Sequence, residues 1–67
     1  MIVLNGEPHE QGAGEPVAAL VADLGLPEHG HGVAVAIDGE VIPRAAWESR
    51  VIADGAHVEV LTAMQGG

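Results

Sequence analysis

Ile2, Val3 and Leu4 form a β-branched-rich apolar run that stops at Asn5-Gly6. Asn-Gly suits a type I′ turn, whose two central residues both need positive φ, so a strand and a hairpin are predicted here. The returning arm, Pro8 to Gln11, is polar, and Pro8 cannot donate to a ladder; it reads as a short edge strand. After Gly12-Ala13-Gly14 the period changes. Val17, Leu20, Val21 and Leu24 fall at i, i+3, i+4 and i+7, one apolar stripe of a two-turn helix. Pro16 suits the first helical position, where its missing N–H is no loss, although no Ser, Thr, Asp or Asn cap precedes it. Gly25 takes the C′ position, Leu26 is placed to fold back onto the last turn, and Pro27 prevents continuation. Residues 27–32 then read as a loop.

In the second half, Val33 to Ile37 and Glu40 to Ile42 flank Asp38-Gly39, another hairpin of the same type. Pro43 ends the arm. Ala45 to Arg50 fits one helical or 3₁₀ turn anchored by Trp47, Asp54-Gly55 is a further turn, and Val58 to Thr62 is the last strand. The order β-β-α-β-β-turn-β puts one helix on one face of a mixed five-stranded sheet, an α+β arrangement. No tight turn can join the first and last strands, so they are expected to lie parallel in the middle. This is the ubiquitin-like β-grasp architecture. Residues 1–62 form the domain, and residues 63–67 carry no strand or helix signal and are expected to be an extended, flexible C-terminal tail. Side chains alternate across a strand. Val58 and Val60 should therefore pack under Leu20, Val21 and Leu24, leaving Glu59 and Leu61 on the wet face. Ile2 and Leu4 should point inward and Val3 outward, beside Leu61 if the two strands pair. Val3 and Leu61, rimmed by Glu59 and other acids, form the candidate partner-binding patch.

Length and charge restrict what such a domain can do. Sixty-seven residues make one domain, too short for a deep catalytic cleft. Val, Ile and Leu supply 18 of them, enough for a thin core. The absence of cysteine excludes a thiol nucleophile, a redox pair, a cysteine persulfide and a Cys-based metal site on this chain. A net charge of −8 repels phosphate backbones and anionic membranes, so neither nucleic acid nor membrane is expected as a partner. The longest apolar stretch, Val17 to Ala22, is far short of the roughly 20 residues of a bilayer span. Met-Ile-Val-Leu-Asn-Gly has no basic n-region, so no signal peptide is expected. The expectation is a cytoplasmic acidic protein that meets a basic partner.

The catalytic inventory is nearly empty. Ser49 is the one serine and reads as a surface hydroxyl near a helix end, and the carboxylates are spread along the chain as a solvated face. His29-Gly30-His31, with Glu28 beside it and His9 elsewhere, has metal-ligand residue types, but the Gly-rich segment reads as a solvated loop and no metal site is assigned. Gly12-Ala13-Gly14 is no phosphate cradle, since Glu15 would repel the phosphate. Trp47, the only aromatic residue, reads as a packing anchor with its indole N–H bonded locally, and Arg44 as half of an intramolecular salt bridge. Gly66-Gly67 differs in kind. The pair ends either a floppy terminus or cut linker, or a slim extended tail, its glycines lacking Cβ atoms, that can enter a narrow channel in another enzyme; five residues from Ala63 reach about 17 Å. Such a tail delivers a terminal carboxylate. Adenylation by ATP turns the carboxylate oxygen into a leaving group, after which a sulfur or nitrogen nucleophile attacks the carbonyl.

Three stretches resemble the ThiS family, the sulfur carriers of thiamine biosynthesis: Val35 to Trp47 with Pro43-Arg44-x-x-Trp47, Asp54-Gly55, and Val58 to Gly67. Leu4-Asn5-Gly6-Glu7 and the Val17-to-Leu24 helix are similar too, so the resemblance spans essentially the whole chain. It implies a β-grasp fold and a carrier that is no enzyme itself but a co-substrate of others. Gly67 would be the sulfur acceptor, adenylated by an E1-like adenylyltransferase of the ThiF type using MgATP, with no cofactor bound to the carrier. A cysteine desulfurase or related donor would convert the carboxylate to a thiocarboxylate, and thiazole synthase of the ThiG type would take the sulfur. Met64, Gln65 and Gly66, with Leu61 and Val3, would meet the partners. The departures are Asp38 where Asn is common, Ala56 where a second acidic residue is common, and Glu15-Pro16 in place of a threonine-containing helix start. The alternatives are a sulfur carrier for molybdopterin, cysteine or tRNA thiolation, a ubiquitin-like protein modifier, and a plain binding module with incidental glycines.

Overall fold

The computed structural model describes residues 1–26 and 32–62. Five strands form one sheet in the order β2-β1-β5-β3-β4. Strand β1 (Ile2–Leu4) pairs antiparallel with β2 (Glu7–His9), and β3 (Val33–Ile37) pairs antiparallel with β4 (Glu40–Ile42). Strand β5 (His57–Thr62) lies between the two hairpins, parallel to β1 and antiparallel to β3. One helix, α1 (Val17–Asp23), covers one sheet face, as a β-grasp requires. Among the described residues no helix is long and apolar enough to cross a membrane.

The two hairpin turns have the predicted geometry: Asn5 and Gly6 sit at φ 50° and 86°, and Asp38 and Gly39 at 49° and 87°. The edge strand β2 is Glu7–His9 rather than Pro8 to Gln11, because a two-residue turn at Asn5-Gly6 sets Leu4 opposite Glu7. The last strand begins one residue earlier than its apolar alternation suggests. The Asp38 carboxylate accepts the His57 N–H at 2.9 Å, and the Asp38 N–H donates to the His57 carbonyl at 2.7 Å, extending the ladder to His57. Asp38 in place of Asn therefore retains the acceptor this position needs.

Helix α1 starts at Val17, with Pro16 extended (ψ 155°) as the N-cap instead of the first helical residue. The missing polar cap is made good by main chain: the Val17 N–H donates to the Arg50 carbonyl at 2.9 Å and the Ala18 N–H to the Trp47 carbonyl at 2.9 Å. Two of the orphan donors of the first turn are thereby satisfied. The other end follows the sequence signal. The Gly25 N–H donates to the Ala22 carbonyl and the Leu26 N–H to the Val21 carbonyl, the two bonds of a Schellman motif.

Val17, Leu20 and Val21 are buried against Ile2, Val35, Val58 and Val60 of the sheet, with Leu24 and Leu26 half-buried at the margin. Inward Val58 and Val60 and outward Glu59 and Leu61 are as the alternation predicts. The short turn after β4 is a 3₁₀ helix, Arg44–Ala46, just ahead of Trp47. Ala56 is buried, so an apolar residue fits where the family pattern has an acidic one. At the open end of β1 the Met1 ammonium pairs with the Asp54 carboxylate, and hydrogen bonding to that charge holds the carboxyl below its usual range.

Gly12 is buried at φ +113°, and a Cβ there would lie 2.8 Å from Cδ1 of the fully buried Ile2. Gly12→Ala should therefore lose about 2–4 kcal/mol, from backbone strain plus overpacking. For a domain of this size that is a fall of about 10 °C or more in Tm. A melt within about 3 °C of the parent would show that the core yields at this point.

Candidate functional site

The site is built on β5, because this strand leads directly to residues 63–67. Its inward side chains, Val58 and Val60, are clamped in the core, and its outward ones, His57, Glu59 and Leu61, face away from the helix. Leu61 is 67% exposed, and its Cα partner on β3 is Ala34. Ala36 faces the same way as Ala34, opposite Glu59 on one side and Val41 on the other. Val41 is 70% exposed. The outer sheet face thus carries an apolar strip running from Leu61 across two alanines to Val41, with Glu59 at its side. The two alanines leave it low in the middle. A shallow depression at its β5 end is lined by Gly32, Val33, Ala34, Leu61 and Thr62.

Val3 is not part of this strip, which corrects the expected Val3–Leu61 patch. Both residues face outward, but the parallel register sets Val3 beside His57, with Leu4 beside Val58. Leu61 is four residues further along β5, about 13 Å away at 3.3 Å per residue. Val3 instead lines a second, more polar depression with Gly6, Asp38, His57 and Glu59. The alternation gave each residue's face correctly, but the offset between non-consecutive strands has no local signature.

Of the other candidate residues, Met64, Gln65, Gly66 and Gly67 lie outside the described residues, as do Glu28, His29 and His31. Among the described residues no group of three or more His, Asp or Glu side chains is placed to hold a metal ion. Ser49 is an exposed hydroxyl donating to the Ala46 carbonyl at 3.3 Å. Trp47 is 3% exposed and its indole N–H donates to the Ile42 carbonyl at 3.0 Å. The Arg44 guanidinium lies over its ring, 4.9 Å from the centroid, a cation–π contact. Arg50 pairs with Glu40 at 3.3 Å. The Pro43-Arg44-x-x-Trp47 element is thus built into the framework. Pro43 caps the 3₁₀ turn, Arg44 covers Trp47, and the Trp47 carbonyl accepts from the start of α1.

The sequence matches the ThiS family over residues 2–67. The chain belongs to the ThiS family. A crystal structure of the thiamine biosynthesis protein ThiS from Geobacter metallireducens superposes with a TM-score of 0.79 at 34% identity, covering 98% of this chain and 97% of that one. A solution structure of a thiamine biosynthesis protein from the same organism gives a TM-score of 0.78 at 31% identity, covering 98% and 86%. No curated protein matches the sequence. Membership of the ThiS family makes the chain a small sulfur carrier with a β-grasp fold.

Proposed function

We propose that this ThiS-family chain carries sulfur for thiazole formation in thiamine biosynthesis as a thiocarboxylate on Gly67. The observation that carries the reading is the family match running through Gly66-Gly67 on a fold whose central strand leads to them. In the first step a Gly67 carboxylate oxygen attacks the α-phosphorus of MgATP in an E1-like adenylyltransferase, forming the acyl-adenylate and releasing pyrophosphate. A sulfur nucleophile then attacks the acyl carbon and AMP leaves. Hydrosulfide gives the thiocarboxylate directly; a persulfide from a cysteine desulfurase gives it after a thiol reduces the S–S bond. Thiazole synthase consumes the thiocarboxylate. The chain supplies the carboxylate and the docking surface and no catalytic group. With no cysteine, it offers no thiol to intercept the activated carbonyl, and with no lysine it cannot be conjugated to a second copy through a side-chain amine.

Incubation with a ThiF-type enzyme, MgATP, cysteine and a cysteine desulfurase should replace one terminal oxygen by sulfur, read by intact mass. Adding thiazole synthase and its substrates should return the carboxylate. Conjugates to lysines of other proteins, with no free thiocarboxylate, would make the chain a modifier and overturn the reading.

The strip of Leu61, Ala34, Ala36 and Val41 is the docking surface in this proposal, with Leu61 nearest the tail. An enzyme seated there with basic groups around an apolar centre would match both the strip and Glu59. Truncating a buried interface hot spot costs about 2 kcal/mol or more, whereas an exposed leucine contributes less than about 0.5 kcal/mol to stability. Leu61→Ala should raise the Kd for the activating enzyme by at least about tenfold while barely moving Tm. Titration calorimetry giving a Kd within about twofold of the parent would place docking elsewhere.

A further inference from the structure

Strand β1 is too short to accompany β5 to its end. Leu4 beside Val58 is the last Cα pair between them, and the Asn5 N–H donates to the Val58 carbonyl at 2.9 Å. There the chain turns away at Asn5-Gly6, while β5 runs on to Thr62. On its other side β5 stays paired to the end, with Thr62 opposite Val33. On the β1 side, the Asn5 side chain replaces the missing strand. Its Oδ1 accepts the Val60 N–H at 2.9 Å, and its Nδ2 donates to the Val60 carbonyl at 3.2 Å. A carboxamide carries the same donor and acceptor as a peptide unit, so it stands in for the next rung of the ladder. Main-chain groups along a strand alternate in direction, and Val58, Val60 and Thr62 all address the β1 side. At Val60 the strand is therefore flanked on both sides, by the Asn5 carboxamide and by Val35 of β3, three residues before Ala63.

We infer that Asn5 is a positioning residue that fixes where the tail leaves the sheet, and hence where Gly67 is delivered. This rests on the carrier reading above. With the carboxamide removed, the last residues of β5 depend on β3 alone, and the partner must order them on binding. Ordering that the free protein no longer supplies is subtracted from association, so the effect appears in KM for the carrier and leaves kcat nearly unchanged.

The test uses Asn5→Gly, since glycine takes φ 50° without strain and keeps the turn while deleting both bonds to Val60. Amide exchange should quicken about tenfold or more at Val60, measured on the chain alone. In ATP-dependent adenylation by a ThiF-type enzyme, KM for the carrier should rise about fivefold or more, with kcat within about twofold. Val21→Ala, a core truncation on the buried face of α1, controls for general destabilisation and should leave KM at the parent value. An unchanged KM in Asn5→Gly, or an equal rise in Val21→Ala, overturns the positioning role. Unchanged exchange at Val60 overturns the clamp itself. If the parent chain is not adenylated at all, the carrier reading falls and the delivery role falls with it, while exchange at Val60 still reports the clamp independently.

Discussion

Deleting Gly67 is expected to abolish sulfur loading while leaving the melting curve where it was. The two halves of this expectation have separate physical grounds. Among the described residues the buried core runs from Ile2 to Val60, and residues 63–67 carry no strand or helix signal in the sequence. Shortening the chain by one residue withdraws the terminal carboxylate by about 3.4 Å. Gly66 then bears the carboxylate, with chemistry identical to that of Gly67, but the carboxylate stops short of the nucleotide. Misplacement of a reacting group by 1 Å can cost about 100-fold, so a full residue should reduce adenylation by at least that factor. Intact-mass analysis after incubation with activating enzyme, MgATP and sulfur donor should show the truncated chain without sulfur, and calorimetry should return the parent Tm. Sulfur on the truncated chain at the parent rate would mean that the activating site does not measure tail length. The carboxylate would then be captured by an open surface.

What the sequence disclosed depended on how far apart the interacting residues lie. Contacts within a few residues were legible. Asn5-Gly6 and Asp38-Gly39 each called for two positive φ angles and adopt them. Gly25 and Leu26 form the Schellman bonds their positions suggested. The alternation in Val58 to Leu61 gave the buried and exposed faces of β5, and the 3.6-residue period gave the buried stripe of α1. Interactions between distant segments were not legible. The helix start looked uncapped because its acceptors are the carbonyls of Trp47 and Arg50, some 30 residues away in the chain. Asn5 is legible as a turn residue, but its carboxamide serves Val60, 55 residues on, and only the register of two parallel strands reveals that. The same register separates Val3 from Leu61. In each case the missing information was how segments distant in sequence are set beside one another, and hydrophobic pattern is silent about that.

Replacing Trp47 should have the largest effect on stability of any single change. Trp47→Ala removes the one aromatic side chain from the end of the core where α1, β4 and the 3₁₀ turn meet. Three losses combine. The cavity left by a buried indole costs about 3–5 kcal/mol. The Ile42 carbonyl loses its donor, and the Arg44 guanidinium loses the ring it lies over. A domain of this length has about 3–10 kcal/mol in total, so the variant should be largely unfolded at 37 °C or melt at least about 15 °C lower. Trp47→Phe separates these losses. Most of the apolar volume remains but the N–H does not, and losing its bond to the Ile42 carbonyl costs about 0.5–1.5 kcal/mol, an intermediate shift. Because Trp47 is also the only tryptophan, unfolding of both variants must be followed by far-ultraviolet dichroism. If Trp47→Ala melts within about 5 °C of the parent, the indole is not an anchor. The Pro43-Arg44-x-x-Trp47 element would then need a role outside the framework, with partner binding the first to test.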